Sequence, residues 1–371
     1  MKVAFIVRPN LYEIAGGDTV QIDQTAKQLI AIGVEVDILT SNDIIAYEKY
    51  DLLNFFHITR PAAILYHSKA AKKPFVISTI HCLYGDYYKY NQKGIMSFFV
   101  DIPEDSKDYF RTVARWVLRK ERLPIGKYLF TGHRKSMVQA LETANVILPN
   151  SLSELDRLKK HYTPNVKGLV VTNGINSEKF PFDPTIKKDA NMVICVGRIE
   201  KRKNQLNLIK ALNGTPYQLI LIGAASPNQN KYYQQCRDAA GPNVTFLDRI
   251  PHEDLLKYYQ LAKVHVLASW FETTGLSSLE AAIMGCNIVI TDKGDTWDYF
   301  GDDAFYCDPK SPDSIKAAVE KANKAPFNEA LFNRILTLHT WRKAAEQTLE
   351  AYQLSIDHKM TGNRSKQLPN C

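Results

Sequence analysis

At 371 residues, with 45% hydrophobic and 23% charged positions, the chain is too long for one ordinary core, and two domains of roughly 150–180 residues are predicted. No run approaches the ~18–20 apolar residues that a membrane-spanning helix needs. The net charge of +8 points to an acidic partner without identifying it.

The opening "MKVAFIVRPN" reads as a short strand broken by Arg8 and Pro9, and not as a signal peptide. A loop with Gly16-Gly17 follows, and such a pair lets backbone approach a ligand closely. The next segment places Ile22, Ala26, Leu29 and Ile30 at i, i+4, i+7 and i+8, which predicts a helix ending at Gly33. "EVDILTS", "FVISTI", "NVILPNS" and "GLVVTNG" are further buried-strand candidates. His81 ends "FVISTIH", where a strand-end position makes it a better functional candidate than a core histidine.

Between "STIH" and "NVILP" the alternation lapses for about sixty residues, predicting an irregular insert over about 84–140. Nine Lys/Arg face three Asp/Glu between Asp105 and Lys135. Arg111, Arg115 and Arg119 fall four apart beside Phe110, Val113, Trp116 and Val117. That pattern suits either a solvated face or an anionic membrane surface.

The stretch 176–190 is polar, holds two prolines and lacks periodicity, so it is the predicted linker. From Met192 onward short β-branched runs alternate regularly with helix-period segments, implying βαβ units and a parallel sheet covered on both faces. Ligands in such sheets bind beyond the carboxyl ends of the strands. Six cysteines (Cys82, Cys195, Cys236, Cys286, Cys307 and Cys371) show no CxxC or metal-like spacing and read as reduced thiols of a cytoplasmic protein.

Three strand-end loops of the second half carry candidate chemistry. "VGRIEKRKN" sets Arg198 and Lys203 five apart, a planar fork and a mobile point charge that suit a diphosphate. "SWFETTGLSSLEAAIMG" turns at Gly275 into a helix that Ser277 or Ser278 could cap. The free N–H groups and dipole of that helix start form an anion site. Glu272 and Glu280 flank the turn; neither would coordinate a phosphate, so each should face vicinal hydroxyls. An ordinary first-turn glutamate remains the plain reading of Glu280. "FLDRIPHEDL" could cover a nucleotide base through Arg249 and Ile250.

Together these residues resemble the GT-B nucleotide-sugar glycosyltransferases, specifically the retaining glycosyltransferase family 4. The E-x7-E match "SWFETTGLSSLEAAIMGCNIVIT" and the loop "VGRIEKRKNQLNLIKAL" are its most specific elements. Supporting matches are "GGDTVQIDQTAKQLIAIGVEVDILT", "STIH", "ANVILPNSLSELDRL" and "VVTNGINSEKF". The resemblance implies an α/β chain of two Rossmann-like doubly wound domains facing a central cleft. Residues 1–175 would form the acceptor-side domain and 191–339 the nucleotide-sugar domain. A helix over 340–356 would cross back to the first domain, and 357–371 would be a disordered tail.

By the same resemblance, Arg198 and Lys203 hold and neutralise the donor diphosphate. Glu272 holds donor-sugar hydroxyls beside the backbone of Thr274, Gly275, Leu276 and Ser277, while Glu280 holds the ribose. Gly16 and Gly17 would lie against donor and acceptor, His81 would orient the sugar, Arg249 and Ile250 would flank the base, and Asn173 would sit near the hinge in a structural role. No cofactor and no metal are implied. The donor is a co-substrate, the acceptor a glycan or lipid-linked saccharide, and the basic insert a point of peripheral membrane contact; nucleic acid is not an expected partner. The chain departs from the family at Asn204, where Gly is usual, at Thr273-Thr274 in place of Gly-Phe, and at "GCN" in place of Gly-Xaa-Pro. A nucleic-acid-binding or DNA-modifying GT-B protein, and a catalytically silent GT-B binding protein, remain as alternatives.

Overall fold

The computed structural model describes residues 1–90, 103–118, 120–121 and 126–364. Arg119, Cys371 and the remainder of the predicted tail lie outside the described residues. The chain divides into two units. One joins Met1–His81, the described part of 93–172 and the chain from Trp341; the other joins the residues from Cys82 to Tyr90 with Asn173–Thr340.

The first unit is built on five parallel strands: β1 (Lys2–Val7), β2 (Glu35–Thr40), β3 (Leu52–Phe56), β4 (Phe75–Ser78) and β5 (Val146–Leu148), in the order β2-β1-β3-β4-β5. β3, β4 and β5 are buried throughout, as strands covered by helices on both faces must be. The helix Gly17–Ala31 buries Ile22, Ala26 and Leu29, whereas Ile30 is exposed and takes no part in the core. "GLVVTNG" forms no strand of its own; Gly168 makes an isolated bridge to Ile147. The 84–140 segment is more helical than its sequence suggested, with helices Gly85–Tyr90, Glu104–Val117, Gly126–Thr131 and His133–Thr143. The final helix, Trp341–Arg364, packs on Gly17–Ala31, β4 and β5. It continues past residue 356, so 357–364 are helical.

The second unit carries six parallel strands: β6 (Asp189–Val196), β7 (Gln218–Ile222), β8 (Val244–Leu247), β9 (Ala262–Leu267), β10 (Asn287–Thr291) and β11 (Phe305–Cys307). Their order is β11-β10-β9-β6-β7-β8. The chain runs outward from β6 to β8, returns to the other side of β6 as β9, and runs outward again. β6 and β9 therefore flank the point where the winding reverses, and the loops leaving their carboxyl ends diverge to open a crevice. In the first unit the same reversal falls between β1 and β3, and the Gly16-Gly17 loop leaves β1 there. Among the described residues no helix is long and apolar enough to cross a membrane.

Candidate active site

The loop leaving β6 passes Arg198 and Glu200, tightens into a 3-10 turn at Lys201–Lys203 and starts the helix Gln205–Leu212. Asn204 joins turn to helix with φ 60° and ψ 30°. This left-handed conformation is open to Gly and, among residues with side chains, most readily to Asn. The departure from glycine at this position is therefore conformationally conservative. It also adds two bonds, since Asn204 Nδ2 donates to the carbonyls of Ala268 (3.0 Å) and Pro309 (2.8 Å).

Glu200 organises the cations around it. Its carboxylate accepts from Ser226 Oγ at 2.8 Å and lies 4.0 Å from Arg198 Nη2 and 3.8 Å from Arg202 Nη2. Gln205 Nε2 holds the Arg198 carbonyl at 2.9 Å. Glu200 and Gln205 were not singled out in the sequence, where a carboxylate between basic residues reads as ordinary charge alternation.

The loop leaving β9 brings Glu272 to the same crevice. Lys203 Nζ donates to Glu272 Oε1 at 2.6 Å, with the lysine partly exposed and the carboxylate nearly covered. The pair joins the loops of the two strands at the switch point. The backbone of Glu272 is clamped by the loop after β10: its N–H donates to Lys293 O and its carbonyl accepts from Asp295 N. Gly294, at φ +100°, passes so close that a Cβ there would sit 2.1 Å from Glu272 O.

Beyond Glu272, Thr274 is buried and accepts from Asn173 Nδ2 at 2.9 Å, while the Tyr299 hydroxyl receives Asn173 N–H at 3.0 Å. Asn173 thus braces the turn, and Thr274 supplies the bonded hydroxyl where the family pattern has an apolar ring. Gly275, at φ 71° and ψ 55°, precedes the helix Leu276–Ile283 with no side-chain cap. Neither serine caps this helix: Ser277 Oγ donates to Val196 O at 2.9 Å and Ser278 Oγ bonds His265 Nδ1 at 3.2 Å. The first-turn amides of Leu276 and Ser277 precede the helix's own ladder, which is the arrangement an anion uses.

Glu280 sits one turn in, half-buried. Burial lifts its carboxyl to about 7, opposed by the Tyr259 hydroxyl, which donates at 3.0 Å. Arg249 is exposed and Ile250 half-buried; both follow β8, the edge strand two places from β6. The second unit therefore gathers Arg198, Lys203, Glu272, Thr274, Gly275, Leu276 and Ser277 around one strand reversal.

Gly16, Gly17 and His81 belong to the first unit. Gly16 is the N-cap of Gly17–Ala31. Arg8 holds the preceding loop by donating to the carbonyls of Asn10 and Ile14 and to Asp18. Asp18 also bonds His57 Nε2 at 3.1 Å; bonds from His57 and Arg8 outweigh burial and hold its carboxyl well below the usual range. His81 is buried, with its N–H on Glu154 Oε1 at 2.7 Å and its carbonyl on Arg157 Nη2 at 2.7 Å. Burial, then the Arg157 charge, lowers its imidazole to about 3, so it is a neutral ring in this setting.

Comparison with known proteins agrees with this fold. Residues 176–335 match the family model described as Glycosyl transferases group 1, so the second unit carries a group 1 glycosyltransferase domain. An uncharacterized glycosyltransferase of Methanocaldococcus jannaschii is 23% identical, over 96% of this chain and 99% of that one. Sucrose-phosphate synthase from Thermosynechococcus elongatus superposes with a TM-score of 0.73 at 18% identity, covering 95% of this chain and 98% of that one. The Anabaena protein HepE, solved in complex with UDP-glucose, gives 0.62 at 14% identity, covering 99% and 100%. The two Rossmann-like units share the GT-B fold of these solved structures.

Two consequences can be measured. Gly294→Ala would drive a methyl group into the Glu272 carbonyl, and a loss of about 1–3 kcal/mol is expected in denaturant unfolding. For Glu280, a folded pKa of about 7 lies above the 4.5 of a free glutamate. The folded chain then binds the proton more tightly, so stability falls as pH rises from about 4.5 through about 7. Glu280→Gln should flatten that slope in melting curves taken from pH 5 to 8; an unchanged slope would remove the burial argument.

Proposed function

We propose that this chain is a metal-independent, retaining glycosyltransferase that moves a sugar from a UDP- or GDP-sugar to a glycan or lipid-linked saccharide. The pathway we assign is surface polysaccharide or glycoconjugate biosynthesis on the cytoplasmic side of a membrane. The observation that carries the reading is the Lys203–Glu272 pair at 2.6 Å, set beside Arg198 and the start of Leu276–Ile283. Each part matches one portion of such a donor. The first-turn amides, Arg198 and Lys203 suit the diphosphate and the charge it develops as it leaves. Glu272 suits sugar hydroxyls once its lysine turns to the phosphate. Glu280 suits the ribose, and Arg249 with Ile250 the base.

Two protein cations supply the neutralisation, which is why metal independence is part of the proposal. Gly16 and Gly17 are assigned to the acceptor-side loop. His81, as a neutral ring, is assigned to orienting the donor sugar and not to proton transfer. Glu272→Ala and Lys203→Ala should each lower turnover at least tenfold, an order of magnitude in line with loss of charge stabilisation at a transition state, while circular dichroism stays native. Normal transfer by both variants would sink the assignment. Turnover should also survive EDTA, and strict dependence on a divalent cation would count against the metal-free route.

The peripheral membrane contact takes a different form from the arginine stripe. Arg115 turns inward to Glu121 at 2.8 Å, and Arg111 pairs with Asp108 on its own helix. Phe110, Ala114, Val117 and Leu118 instead line up at i, i+4, i+7 and i+8, and all are exposed. An outward apolar stripe beside Arg111 suits insertion at an anionic lipid surface. Vesicles containing phosphatidylglycerol should co-sediment the protein, and the pair Phe110→Ser, Leu118→Ser should weaken that several-fold. Equal sedimentation of this variant would refute the surface.

A further inference from the structure

The run "CLYGDYYKY", residues 82–90, is flanked by chain of the first unit yet groups with the second. Its short helix, Gly85–Tyr90, is aromatic on the side that meets the strand-end loops. Tyr90 packs on Trp270 with ring centroids 4.6 Å apart, and Tyr87 meets the same indole at 6.2 Å. The Tyr90 hydroxyl donates to Lys310 O at 3.4 Å.

Tyr84 makes the contacts that matter most. The Arg202 guanidinium lies 4.7 Å from its ring centroid, and Phe271 packs against it at 5.7 Å. Arg202 precedes Lys203, and Phe271 precedes Glu272. One ring therefore touches the neighbour of each member of the ion pair. The two loops are also tied directly, since Trp270 N donates to Arg202 O at 2.9 Å. Burial holds the Tyr84 hydroxyl well above its ordinary range, so the residue presents a neutral ring.

We propose that Tyr84 is a positioning residue for the donor site, setting the spacing of Lys203 and Glu272 through its contacts with Arg202 and Phe271. The proposal rests on the donor-site reading above. It assigns a role in that site to a first-half segment outside the Gly16-Gly17 loop. The ring acts by shape and cation–π attraction, so it should affect donor affinity more than the chemical step.

The test is calorimetric titration with UDP and, separately, with GDP, followed by kinetics with the corresponding nucleotide-sugar. Tyr84→Ala should weaken binding of whichever nucleotide the wild type takes by about tenfold, the scale of a lost cation–π contact and ring pair. It should raise donor KM in parallel and leave kcat within about twofold. Tyr84→Phe keeps the ring and should restore wild-type affinity. Should Tyr84→Ala unfold, Tyr90→Ala, at the exposed end of the same segment, should give a smaller shift in the same direction. Unchanged binding by Tyr84→Ala, or Tyr84→Phe as weak as Tyr84→Ala, overturns the proposal. Lys203→Ala separates the two readings: its loss of binding alongside an unaffected Tyr84→Ala would leave the donor site standing and remove only the positioning role. If the wild type binds neither nucleotide, both readings fall.

Discussion

The ion pair between Lys203 and Glu272 is the constraint around which the candidate site is arranged. A carboxylate and an ammonium 2.6 Å apart, the former nearly covered, contribute little to stability because desolvation offsets most of their attraction. Their value is positional. Each stands on the loop leaving one of the two central strands, so the pair fixes the separation of two chain segments that sheet topology brings together. On the proposed reading, an incoming diphosphate would change the balance. It would offer the lysine a denser anion and leave the carboxylate free to accept hydrogen bonds from neutral hydroxyls. A site whose cation is already neutralised holds its geometry before the ligand arrives, which lowers the ordering cost of binding.

That geometry is maintained largely by backbone. Glu272 is clamped at its N–H and carbonyl by the loop after β10, Gly294 allows the approach, and Asn204 links the lysine turn to its helix through a left-handed residue. Uncharged amide side chains then hold backbone carbonyls and one hydroxyl. Gln205 fixes Arg198, Asn204 reaches Ala268 and Pro309, and Asn173 braces Thr274. Polar residues of this kind aim the charged ones by fixing the loops that carry them.

Much of this was legible in the sequence. Parallel sheets announce themselves as short apolar runs separated by helix-period segments, and the charged positions of the crevice stand at strand ends where the pattern changes. The capping of Leu276–Ile283 was not legible. Two serines at its start look like caps, but the strand β6 backbone and His265 compete for their hydroxyls. The Arg111 and Arg115 spacing suggested a common face, but Glu121, close in sequence and buried, drew Arg115 inward. The attachment of residues 82–90 to the second unit was also hidden. Sequence order places them in the first half, where nothing in their spacing points to the strand-end loops of the second.

Glu280 shows how burial alters a role that spacing alone suggests. A fully ionised carboxylate would meet two vicinal hydroxyls as an acceptor only. The burial that lifts this group to about 7 leaves it divided between protonated and ionised forms near neutrality, and the Tyr259 hydroxyl already occupies one oxygen. On the proposed reading, a ribose approaching the other oxygen would meet a group able to accept or to donate. Binding of a diol would then draw the equilibrium toward the form that best matches its hydroxyls. The energetic cost of ionising the carboxyl is shared with Tyr259, whose hydroxyl is itself held far above its ordinary range, first by burial and then by Glu280. The pair therefore keeps a hydrogen-bonded proton between its oxygens, and that fixed donor holds the Glu280 carboxyl against Tyr259.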